Sequence, residues 1–102
     1  MGRALELAPG GALAEDARYW RAVALGRAGA AGEARAAMEE FLSSHPRSPR
    51  TGEVSVMLGW LLVDAGDRAR AEALFRAAAA DVRLQVRKSA QAGLQAVGSS
   101  GP

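Results

Sequence analysis

The stretch "VSVMLGWLLVDAGDRARAEALFRAAAA", Val54 to Ala80, decides the fold. Its first part, "VSVMLGWLLVDA", is apolar over about three helical turns and carries one glycine, Gly59. "GDRA", Gly66 to Ala69, then supplies a turn former. Beyond it, "RAEALFRAAAA" places Ala71, Leu74, Phe75 and Ala78 at i, i+3, i+4 and i+7, which is one face of a helix. The stretch reads as helix, glycine turn, helix.

The same grammar recurs upstream. "RYWRAVALGRA", Arg18 to Ala28, is followed by "GAAGEA" and then by a stripe of Ala34, Met38, Phe41 and Leu42. Sliding the chain by 37 residues lays Pro9 on Pro46, Leu5 on Leu42, Ala22 on Gly59, Leu25 on Leu62, Gly29 on Gly66 and Ala34 on Ala71. The coincident residues are small ones, leucines and turn formers, the types that helix contacts and helix ends select. The period is therefore structural.

Composition points to the same class. The 102 residues include 24 alanines, 12 arginines and one lysine, Lys88, while Val, Ile and Thr are scarce. Alanine and arginine favour helix and β-branched residues favour strand, so an all-α chain is expected. The arginine bias also suits a GC-rich bacterial genome. Without cysteine there are no disulfides and no thiolate metal sites. The longest apolar run, "VMLGWLLV", Val56 to Val63, falls well short of the roughly 18 residues a membrane span needs, and "MGRALELAPGG" lacks a signal-peptide core. A soluble chain with no membrane insertion is expected. Its net charge of +2 comes from arginines dispersed among nearly as many acids, which disfavours nucleic-acid binding.

These residues resemble the tetratricopeptide repeat. Leu58, Gly59, Leu62, Gly66, Ala71, Phe75 and Ala78 match its pattern in the second unit, and Ala22, Leu25, Gly29, Ala34 and Pro46 match it in the first. The resemblance covers roughly residues 3 to 80 and implies an antiparallel helix–turn–helix solenoid of about two full repeats. The expected organisation is the end of a preceding repeat over 1–11, repeat 1 over 12–48, repeat 2 over 49–81, a capping helix over 82–97 and a flexible tail over 98–102. Four residues depart from the family pattern. Arg18 and Ser55 stand where an early aromatic is expected, Arg21 replaces a core leucine, and Arg83 stands where a third proline would fall.

Between the units lies "FLSSHPRSPR", Phe41 to Arg50. Pro46 disfavours helical geometry at His45 and ends the preceding helix. Pro49 suits the first position of the next helix, with Ser48 as its expected cap. This junction is similar to that of bacterial cell-envelope repeat proteins of the Tol–Pal coordinator and outer-membrane assembly type. That resemblance leaves the compartment, cytoplasmic or periplasmic, to the parent chain.

The final segment, "DVRLQVRKSAQAGLQAV", puts Val82, Val86, Ala90, Leu94 and Val97 on a stripe, with Arg83, Arg87 and Lys88 beside it. A terminal helix covering the last repeat's open face is what a solenoid end needs. The wording "VRKSAQAGL" is also similar to a HEAT-type helix.

Chemistry is hard to assemble from this inventory. His45 is the sole histidine and reads as a solvated residue at a helix end; Glu15–Asp16 and Glu39–Glu40 are adjacent acids that suit exposure better than a shared proton. "GRAGAAG", Gly26 to Gly32, lacks the strand and the Gly-Lys-Ser/Thr end of a phosphate loop. No enzyme, cofactor or metal site is expected.

Recognition remains. In the family, the first helices line a concave groove, which implies Asp16, Tyr19, Val23 and Arg27 from unit one and Glu53, Val56, Trp60 and Asp64 from unit two. Tyr19 and Trp60 are the expected aromatic anchors. Trp20 is expected to fill space between repeats, and Trp60 has that packing role as its alternative. The leading expectation is a non-catalytic module binding a peptide or protein segment. Its alternatives are a self-associating structural piece of a larger protein, since "MGRALELAPGG" begins in the middle of a repeat unit, and a HEAT-like module whose basic last helix meets an acidic partner.

Overall fold

A computed structural model describes residues 12–99; the segment expected to end a preceding repeat, 1–11, lies outside them. Among the described residues there are five helices and no strand. They are α1 (Ala12–Arg27), α2 (Ala31–Ser44), α3 (Thr51–Ala65), α4 (Arg68–Ala78) and α5 (Leu84–Ser99). The chain divides after Ser48 into two compact units.

The first unit is a hairpin of α1 on α2. Tyr19, Ala22 and Val23 from α1 and Ala34, Ala37, Met38 and Phe41 from α2 are buried. Ala22 and Ala34 are both 0 % exposed, so small side chains let the two helices approach closely.

The second unit packs α3, α4 and α5 against one another. Phe75 is fully buried at its centre, and burying a side chain of that size stabilises by about 1.5–3 kcal/mol. Val54, Leu58, Leu62, Ala71, Ala78, Val86 and Ala90 of the same unit are buried as well.

Both hairpins turn in the same way. Gly29 and Gly66 have φ of 78° and 88°, the left-handed conformation that glycine adopts without a Cβ penalty. Around Gly66 the amide of Asp67 donates to the Leu62 carbonyl at 2.9 Å and that of Gly66 to Val63 at 3.1 Å. Around Gly29 the amide of Ala30 donates to Leu25 at 3.1 Å and that of Gly29 to Gly26 at 3.2 Å. These are the paired bonds of a Schellman helix end. Every donor and acceptor in one turn lies 37 residues from its counterpart in the other.

The helix boundaries differ from expectation at two places. Ser48 does not cap the helix after Pro49. Its hydroxyl donates to Glu15 Oε2 at 2.5 Å, Pro49 and Arg50 form a turn, and α3 starts at Thr51 with no side-chain cap at Arg50. The last helix begins at Leu84 rather than Val82, which stands outside it at 89 % exposure. Asp81 causes this break: its carboxylate accepts from the Arg83 amide at 2.7 Å and holds the chain out of helical geometry. The buried stripe of α5 is therefore Val86, Ala90 and Gly93, with Leu94 and Val97 half-buried. The helix also runs through Gly98 and Ser99, the first two residues of the expected tail, and 100–102 lie outside the described residues.

Candidate functional site

The second unit contains a cleft of about 560 Å³ between α3 and the start of α5. Glu53, Val56 and Met57 form one wall; Arg83, Leu84, Gln85, Val86 and Ser89 form the other. The apolar members come from both helices, and Leu84 is 55 % exposed at the cleft.

A corner of polar contacts builds this cleft. Arg83 forms ion pairs with Glu53 at 3.6 Å and with Asp81 at 3.8 Å. Arg87 Nη1 donates to the carbonyls of Asp81 at 3.1 Å and Val82 at 2.9 Å. Gly52 in the first turn of α3 permits the approach, because a Cβ there would run into the Asp81 carboxylate. Two of the three basic side chains expected to give the last helix a basic surface are thus engaged with their own unit. Lys88 is exposed.

Deeper in the same unit, Trp60 Nε1 donates to Ser89 Oγ at 3.4 Å, and the Trp60 ring meets Phe75 edge-on with centroids 5.2 Å apart. Ser89 lines the cleft, so Trp60 supports its wall from behind. Of the groove residues implied by the family resemblance, Glu53 and Val56 line the cleft and Trp60 is half-buried beside it. Tyr19 and Val23 are buried, while Asp16, Arg27 and Asp64 are exposed. Met57, Leu84 and Val86 were not foreseen as cleft residues. Their signal in the sequence was weak: an apolar residue on a helix reads equally as core.

The first unit holds a polar cluster that sequence reading missed. His45, expected to be solvated, is 6 % exposed, with its ring centroid 5.2 Å from that of Phe41 one turn earlier. Arg18 Nη1 lies 3.0 Å from His45 Nε2, and Glu15 Oε1 lies 4.0 Å from Nδ1. A guanidinium only donates, so Nε2 is the acceptor and Nδ1 carries the hydrogen toward Glu15. Arg18 also pairs with Glu40 at 3.6 Å. Arg18, which stands where the resemblance led to an aromatic being expected, ties α1 to the end of α2.

Trp20, expected to fill space between repeats, is 55 % exposed, with its ring edge against Tyr19 at 4.9 Å. Among the described residues no group of three or more His, Cys, Asp or Glu is placed to hold a metal ion, and no helix is long and apolar enough to cross a membrane. No family model, curated protein or solved structure matches this chain.

Proposed function

We propose that this chain is a non-catalytic interaction module of tetratricopeptide-like helix hairpins, and that the cleft between α3 and α5 receives a short segment of a partner protein. The observation that carries this reading is the cleft itself. Val56, Met57, Leu84 and Val86 offer an apolar surface, and Glu53, Arg83, Gln85 and Ser89 add polar groups to its walls. Sites that combine apolar walls with a few convergent polar groups are where ligands bind in proteins generally. About 560 Å³ suits one or two apolar side chains of a peptide. The recurrence of the Gly29 turn at Gly66 after 37 residues supports the repeat reading.

Selection of peptides from a displayed random library, followed by titration against the Leu84→Glu variant, tests this. Leu84 is exposed, so its replacement leaves the fold intact. Binding should fall at least about tenfold, the loss expected of a central contact. A library that yields no binder, or a binder indifferent to Leu84→Glu, would refute the cleft as the site.

A further inference from the structure

The outer face of α1 carries a second apolar surface, in the other unit. Leu13 and Trp20 are each 55 % exposed, and Ala17 and Ala24 beside them are exposed as well. The four residues are spaced four, three and four apart, which keeps them on one stripe of a helix. The 37-residue register lays this stripe on Arg50, Val54, Met57 and Leu61 of the second unit. There Val54 is 0 % exposed and Met57 and Leu61 are half-buried. The stripe is more exposed on α1 than at the matching positions of the second unit.

Two charges on one flank of the stripe bear on what fits it, while Arg21 is exposed on the other flank and, in a two-fold pair, would lie near Arg21 of the partner subunit. Asp16 and Arg27 are exposed on the same flank, eleven residues apart, which is about three turns. An antiparallel helix of the same sequence reverses that order, so a single two-fold axis places each of these charges opposite its complement. We infer that two copies of this chain pair through α1, antiparallel, about a two-fold axis level with Ala22. Asp16 then meets Arg27 of the partner subunit, and Arg27 meets Asp16 of the partner subunit. The same axis, to within one residue, sets Trp20 over Ala24 of the partner subunit, large against small. A parallel copy would instead set tryptophan on tryptophan and alanine on alanine, leaving gaps between the helices. Contacts of this isologous kind close after two subunits and do not propagate. Trp20 suits the role because its ring, held against Tyr19, has little freedom to lose on binding.

The pairing does not depend on the cleft, which belongs to the other unit. Sedimentation velocity of the 102-residue chain from low to high micromolar concentration should show a monomer giving way to a dimer. Trp20→Asp should weaken dimerisation at least about tenfold without altering the helical circular dichroism, since the side chain is exposed in the monomer. Asp16→Arg alone should also weaken it, and Asp16→Arg combined with Arg27→Asp should restore it. A chain that stays monomeric throughout, a dimer indifferent to Trp20→Asp, or a double reversal that fails to rescue the single one would overturn the inference.

Discussion

The edge of the Phe75 ring occupies the space where a side chain on Gly93 would have to stand. Gly59 faces the same ring from α3, where an added Cβ would lie 2.6 Å from Phe75 Cε1. Phe75 is thus seated between two glycines, and this close fit holds α3, α4 and α5 together.

Gly93→Ala should therefore destabilise the protein by about 1–3 kcal/mol through overpacking, despite alanine's better helix propensity. Adding Phe75→Leu to Gly93→Ala should recover part of the loss, because the smaller side chain makes room. Urea denaturation of the three variants checks this. A stabilised Gly93→Ala variant would mean that the ring is not seated against α5.

The two glycines differed in how readable they were. Gly59 coincides with Ala22 in the 37-residue register, and that match of two small residues disclosed its role. Gly93 lies beyond the period, where a helical glycine looks like weakness rather than contact. Gly29 and Gly66 were legible because only glycine takes their positive φ cheaply. The Glu15, Arg18, His45 and Ser48 cluster was not, since contacts some thirty residues apart leave no local pattern. His45 looked solvated because its neighbour is a proline turn. What buries it are side chains of α1 and α2. Trp20 misled in the opposite direction, because size suggested core while its position on α1 faces out.

His45→Ala should cost about 1–3 kcal/mol, since it removes the acceptor for Arg18 and leaves a gap beside Phe41. Ser48→Ala should cost about 0.5–1.5 kcal/mol through the lost bond to Glu15. Because Ser48 and His45 both act through Glu15, the double variant should deviate from additivity, and chemical denaturation of all three supplies the cycle. Strict additivity would mean that the cluster does not act as a unit.

Gly29→Ala and Gly66→Ala should each destabilise by about 1 kcal/mol, because both force a Cβ into the left-handed region with no neighbouring atom to add a clash. Asp67→Ala should cost a further ~1 kcal/mol through loss of the cap that accepts from the Arg70 amide. Melting temperatures compare the two glycines directly. Unequal losses would show that the two turns are not energetically equivalent.

Trp60→Ala should destabilise toward the low end of about 3–5 kcal/mol, because the ring is half-buried against Phe75 and bonded to Ser89. Trp60→Phe should retain much of the packing and lose the bond. Quencher access to Trp60, measured in a Trp20→Phe background, should be limited before any partner is added. Free access together with an unchanged melting temperature in Trp60→Ala would return this residue to the role of an open binding anchor.

The central claim, that the cleft between α3 and α5 receives a peptide, is tested most directly by mapping a library-selected peptide onto the amide and methyl resonances of the whole chain. The account predicts perturbations centred on Val56, Met57, Leu84 and Val86, with smaller changes at Glu53 and Arg83. Perturbations centred instead on α1 and α2, with the cleft residues unmoved at saturation, would contradict it.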